Sequence, residues 1–167
     1  CAATGGKLFI LARDYNYDEN SLRFYSFDLA TGAGAKLTMD APYRIAAGAD
    51  GRLLVACYDE SNAWDEETQT NRPMECFLLD PATLQTTPAF TLPGDSAYST
   101  SAFAYDAKAD AFYFFQPNRV MKASVGGEAE VAGYLPASYV DAPSACMLAG
   151  GIYADNTNEG VFVRNLD

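Results

Sequence analysis

Histidine is absent from all 167 residues. Without it the serine or cysteine triad, the catalytic zinc site and the general base that titrates near neutral pH all lose their commonest member. Bases are scarce as well, 11 against 22 acids, and the formal charge is −11. A phosphate backbone or an anionic bilayer would be repelled by such a chain. Nucleic acid is therefore not expected as a partner, and a membrane only through a lipid anchor. The longest apolar runs, Leu8 to Ala12 and Ala111 to Phe115, hold five residues each, against the roughly 20 that span a bilayer. Helical periodicity is missing too: no window places apolar side chains at i, i+3, i+4 and i+7, and turn residues interrupt the chain throughout. Rossmann, P-loop and G-x-S-x-G patterns do not occur in the contexts that would give them meaning, and no cofactor is expected.

What remains is ample for a folded core. Hydrophobic residues make up 49% of the chain and aromatics 13%, which excludes disorder. Short runs rich in aromatic and aliphatic side chains predict strands at Lys7 to Arg13, Leu22 to Asp28, Tyr43 to Ala47, Arg52 to Tyr58, Glu75 to Asp80, Ala111 to Phe115, Arg119 to Ala123 and Gly160 to Arg164. The fold class is all-β, and strands at this spacing mean a sandwich, a barrel or a propeller.

Internal repetition favours the propeller. Asp40-Ala-Pro-Tyr43, Asp95-Ser-Ala-Tyr98 and Asp141-Ala-Pro-Ser144 each precede a strand, a turn and a second strand; the first two lie 55 residues apart and the last two 46. The polar insertion Asp59 to Pro73 accounts for the difference. A second series joins Leu22 to Asp28 with Leu29-Ala-Thr-Gly32, Glu75 to Asp80 with Pro81-Ala-Thr-Leu84, and Arg119 to Ala123 with Ser124-Val-Gly-Gly127. A hydrophobic strand that ends in Asp and runs into a turn, as in Phe27-Asp-Leu-Ala-Thr-Gly32, resembles bacterial β-propeller repeats of the kelch or quinoprotein-like kind. The resemblance implies one propeller segment of four-stranded antiparallel blades: a partial three-stranded blade over 1–38, blades over 39–93 and 94–136, and a partial blade over 137–167. These three to four blades are expected to belong to a larger propeller, whose remaining blades come from the same or a neighbouring chain.

In a strand meander, loops on alternate sides share a face, which gathers Asp40, Tyr43, Asp95, Tyr98, Tyr139 and Asp141 on one side, with Trp64 of the insertion reaching towards the rim. Carboxylates beside tyrosines suit a sugar, a peptide or a protein partner. The alternative is that each Asp caps a turn and each Tyr starts a buried strand. Trp64, in a loop with five acids and one base, is either a partner anchor or part of a solvated loop. Asp155-Asn-Thr-Asn-Glu-Gly160 starts like a calcium loop but has Leu166 at its twelfth position, so a hairpin is expected and no metal.

Pairing Val55 with Leu78 would set Cys57 opposite Cys76, a candidate cross-strand disulfide; two thiols on one face are the alternative. Cys1 before Ala2-Ala-Thr-Gly-Gly6 looks like the mature start of a bacterial lipoprotein, and a domain boundary explains it equally well. Similar propeller segments accompany extracellular solute-binding lipoproteins. The expectation is a non-enzymatic, extracellular or cell-surface recognition module. A structural or assembly element of a larger surface lipoprotein is the alternative, and a propeller enzyme acting on glycosides a further one.

Overall fold

A computed structural model of the chain describes residues 1–13, 22–48, 51–59, 62–94, 100, 102–116, 119–134, 144–149, 152–157 and 160–165. The protein is all-β and is built from four antiparallel sheets that follow one another along the chain. The first pairs β1 (Ala2–Thr4), β2 (Lys7–Arg13), β3 (Leu22–Asp28) and β4 (Gly34–Leu37) in chain order. The second pairs β5 (Pro42–Ala47), β6 (Leu53–Cys57), β9 (Met74–Leu79) and β10 (Thr86–Leu92); the small hairpin of β7 (Trp64–Asp65) and β8 (Thr70–Asn71) is inserted between its middle strands. The third pairs β11 (Ala102–Asp106), β12 (Ala111–Phe115), β13 (Arg119–Ala123) and β14 (Glu130–Tyr134), and the fourth β15 (Ser144–Ala149), β16 (Ile152–Thr157) and β17 (Gly160–Asn165).

Three sheets are thus four-stranded, and the strands expected from the sequence lie within a residue or two of these bounds. Within the four sheets, one strand was not anticipated. Ala2–Thr4 pairs with β2 through Thr4 opposite Lys7, so the first unit has four strands where the sequence reading counted three. Ala-Ala-Thr has no apolar alternation to announce it; it is held in place from outside its own sheet, where the Thr4 hydroxyl donates to the Gly51 carbonyl at 2.6 Å. The first strands of successive sheets are neighbours in chain order: β1 touches β5, β5 touches β11, and β11 touches β15.

The second sheet buries both faces, and this explains why its strands are apolar without alternation. Leu53, Val55 and Leu79 pack against Phe9 and Phe24 of the first sheet. Their chain neighbours Leu54, Ala56 and Leu78 turn the other way and join Phe112, Phe114 and Met121 of the third. All five residues of β12 are buried for the same reason.

One turn recurs. In Asp28–Gly32 the Asp28 carboxylate accepts from the amides of Ala30 and Thr31 and from the Thr31 hydroxyl, and Gly32 N–H returns to the Asp28 carbonyl. Asp80–Leu84 repeats it: the carboxylate accepts from Ala82 and Thr83 N–H, and Leu84 N–H returns to the Asp80 carbonyl. The fifth position is left-handed in both, φ +72° at Gly32 and +59° at Leu84, the region glycine enters at least cost. Unexpectedly, the polar insertion uses the same device, with Asp65 capping Glu67 and Thr68 and Gln69 at φ +56°. A stretch that reads as a solvated loop is therefore an ordered hairpin. The expected hairpin at Asp155 to Gly160 is also found, with Asp155, Asn156 and Thr157 laddered opposite Phe162, Val161 and Gly160.

Candidate functional site

Of the residues that the sequence pattern would gather, Asp40, Tyr43 and Trp64 are among those described. Tyr43 is 7% exposed and belongs to the core between the second and third sheets. Its ring meets Tyr58 edge-on, centroids 5.7 Å apart, and the Arg44 guanidinium covers it at 4.1 Å. Of the two roles left open for it, the structural one describes what Tyr43 touches. Asp40, three residues earlier, is exposed. Trp64 is 48% exposed on β7. Asp95, Tyr98, Tyr139 and Asp141 lie outside the described residues.

Asp40 instead borders a cleft of about 980 Å³ between the first and second sheets. One wall comes from Phe24, Leu37 and Met39; the other from Cys57, Glu75, Phe77 and Leu79, which alternate onto the face of the second sheet turned towards the first. Pro73 and the inserted hairpin lie at one end, where Asp59, Asp65 and Arg72 join the lining, and Leu84, in the turn after β9, lies at the other. Four carboxylates, Asp40, Asp59, Asp65 and Glu75, thus stand over an apolar floor with two cations, Lys36 and Arg72. Asp65 is already engaged by the turn it caps, whereas Asp40 and Glu75 are close enough to Cys57 to disfavour its thiolate. Among the described residues no three metal-ligating side chains converge.

The cysteine pairing differs from expectation by one residue. Cys76 lies opposite Ala56, and Cys57 opposite Glu75. The two thiols therefore point to opposite faces of the second sheet, Cys76 into the core shared with the third and Cys57 towards the first, and both are free. A single-residue slip exchanges the faces of a strand. With both faces buried, hydrophobic alternation carries no signal of which register is right, and the insertion between β6 and β9 removes the constraint a tight turn would impose. Burial, then the charges of Asp40 and Glu75, pushes the Cys57 thiol up to about 12; burial chiefly, and then Cys57, pushes Cys76 up as well.

Both shifts make stability pH-dependent in one direction. Below about pH 9 the thiols are protonated folded and unfolded alike, and nothing changes. Above it the unfolded chain loses these protons while the folded chain keeps them, so stability falls as pH rises towards the folded value. Melting temperatures measured at pH 8 and pH 10.5 should therefore differ less for Cys76→Ala than for the wild type. An equal difference in the two proteins would mean that Cys76 does not contribute to the alkaline loss.

No protein-family model matches the chain, and no curated protein is significantly similar to it.

Proposed function

We propose that the protein is a non-enzymatic, extracellular recognition module, a fan of propeller blades that takes a cationic, partly apolar peptide into the cleft between its first two sheets. Two features support the fan: the adjacency of β1, β5, β11 and β15 in that order, and a cleft lined by β4 of the first sheet and by β9 and β10 of the second, the strands farthest from that line of contacts. Sheets that touch along their first strands and part beyond them are the elements of a radial array.

The observation that carries the function is the chemistry of the cleft. Its volume suits several side chains of a peptide. The apolar walls provide area, and carboxylates outnumbering bases two to one provide orientation and select against anions. Cys57, the cysteine of the lining, is held protonated far above neutral pH, and a thiol without its thiolate is inert. Binding, not bond cleavage, fits that arrangement.

The test is a calorimetric titration with short peptides that carry two or three Lys or Arg residues beside a Phe or Leu. Affinity should fall severalfold as salt rises from about 0.05 to about 0.5 M, because the Debye length shrinks over that range. The double substitution Asp40→Asn with Glu75→Gln should weaken binding about tenfold, equivalent to about 1.4 kcal/mol, and leave the melting temperature in place. A neutral oligosaccharide that binds with no salt response would replace the peptide reading with a sugar. Failure of every cationic peptide would leave an assembly role as the better account.

A further inference from the structure

The cleft is bordered by a strip of main chain as well as by side chains. Residues 36–41, the end of β4 and its continuation, line it without a break. Side chains on a strand alternate between faces, so six consecutive residues reach one cleft only where the edge of the chain itself faces it. β4 is the last strand of the first sheet, and among the described residues no strand pairs with its outer side. Asp28 N–H donates to the Ala33 carbonyl at 2.8 Å, and in an antiparallel ladder bonded and non-bonded pairs alternate. Ser26 with Ala35 and Phe24 with Leu37 are therefore the bonded pairs between β3 and β4. The N–H and C=O groups of Gly34 and Lys36 point outwards.

The other four-stranded sheets protect the corresponding edge. In β10, Pro88 has no N–H to offer and the register shifts beside it, while the Ala89 carbonyl already accepts from Gly126 N–H of the third sheet at 2.7 Å. The pairing of β14 shifts between Val120 and Met121 of its partner strand. Bulges and prolines keep an edge from adding a strand. β4 has neither. Its direction relative to the opposite wall is fixed as well. Asp40, beyond the C-terminal end of β4, lies near enough to Cys57 to act on its thiol, and Cys57 is opposite Glu75. β4 thus runs towards the Glu75 end of the cleft, whereas β9 runs away from it, from Glu75 through Phe77 to Leu79. An acid and two apolar side chains stand at alternate positions along that wall.

We infer that a cationic peptide binds as a fifth strand of the first sheet, antiparallel to β4 along its outer edge, with a basic residue beside Asp40 and Glu75 and apolar residues at the next two alternate positions, beside Phe77 and Leu79. The inference rests on the peptide reading of the cleft and adds to it the manner of binding and the order of the side chains. Antiparallel pairing is the more stable per residue, and it makes the added strand run in the direction of β9. Ligand side chains opposite Leu37 and Ala35 share the face of those residues, and Leu37 packs with Phe9 and Phe24 on the side of the second sheet. The ligand residues between them turn the other way and exchange main-chain bonds with Lys36 and Gly34. In this mode the main chain supplies affinity and the alternate side chains supply specificity. The charge complementarity is local: the acids at the Glu75 end meet the basic residue, and the apolar end of the wall meets the rest.

Calorimetry with the acetylated and amidated peptide Lys-Thr-Lys-Thr-Leu-Thr-Phe-Thr tests it. N-methylation of the two threonines that flank leucine removes the amides aimed at Lys36 and Gly34 and should weaken binding about tenfold or more. N-methylation of leucine, whose N–H points away from β4, should leave the affinity unchanged. The reversed sequence, which sets its apolar residues against the acids, should also bind about tenfold more weakly. On the protein, Lys36→Pro removes one outward N–H at an edge position where proline is tolerated, and it should weaken binding about tenfold more than Lys36→Ala does. Should Lys36→Pro fail to fold by circular dichroism, the methylated peptides carry the test. Equal affinity of the methylated peptides, or of the forward and reversed sequences, would overturn the inference and leave the peptide reading standing. Failure of all these peptides and of those in the earlier titration would overturn both. Sedimentation of the free chain of 18.0 kDa as a dimer that Lys36→Pro dissociates would assign the edge to a second copy and overturn the inference as well.

Discussion

Replacing Phe114 with alanine should destabilise the protein by about 3–5 kcal/mol, the cost of removing a buried aromatic side chain from a core that relaxes only in part. Phe114 is fully buried. Its ring lies 5.5 Å from that of Phe103 within the third sheet and 5.8 Å from that of Phe90, which comes from β10 of the second. Phe90 also reaches Phe112 at 6.0 Å, and Tyr105 closes the group at 5.0 Å from Phe112. The five rings join the outer strand of one sheet to the first two strands of the next. Truncation at the centre removes contacts on both sides, and aromatic pairs contribute beyond the area they bury. Urea unfolding measures it, with Tyr134→Ala as a reference: that side chain is 78% exposed and its loss should stay within about 0.5 kcal/mol. A cost below about 1.5 kcal/mol for Phe114→Ala would mean that the neighbouring rings collapse into the space.

The parts of this fold that were legible in the sequence are those with a local cause. Asp28-Leu-Ala-Thr-Gly32 and Asp80-Pro-Ala-Thr-Leu84 announce their turns because a carboxylate two and three residues before the donating amides can make the same bonds anywhere in a chain. Strands such as Leu-Arg-Phe-Tyr-Ser-Phe and Ala-Phe-Tyr-Phe-Phe are visible because short aromatic-rich runs bounded by turn residues favour a sheet. What escaped has non-local causes. β1 is fixed by Gly51, 47 residues downstream of Thr4. The cysteine register is fixed by which of two buried faces each residue joins, and both are apolar. Tyr43 and Asp40 look alike as candidate ligand groups in the sequence, yet Tyr58 and Arg44 enclose one while the other stays at the rim of a cleft. That cleft lies between walls from Phe24 and Leu37 on one side and Phe77 and Leu79 on the other, and its existence depends on how far two sheets part, which no residue pattern states.

The inserted hairpin also marks the position where the smallest substitution should have a large effect. Gly94 follows β10, and a Cβ built on it would lie 1.6 Å from the Asn71 carbonyl oxygen, 2.3 Å from its carbon and 2.9 Å from the Arg72 carbonyl oxygen. Those are backbone atoms of β8 and its continuation, so no flexible side-chain end can swing aside. One of the two segments has to move. The hairpin is the weaker, joined by only two residue pairs, Trp64 with Asn71 and Asp65 with Thr70, and by Arg72 N–H donating to the Ala63 carbonyl at 2.6 Å. Gly94→Ala is therefore expected to push Asn71 and Arg72 outward, at about 1–3 kcal/mol for overpacking and more if Ala63 and Met74, both buried beside the hairpin, lose their packing. The displacement carries Arg72 and Pro73 away from the cleft they line, so one methyl group should lower the melting temperature and weaken the proposed peptide binding together. Fluorescence of Trp64, the only tryptophan, reports the hairpin directly and should change in the folded variant before any unfolding. If Gly94→Ala keeps the wild-type melting temperature and emission spectrum, the approach of residue 94 to Asn71 is looser than the structure places it, and the hairpin does not brace the end of the cleft.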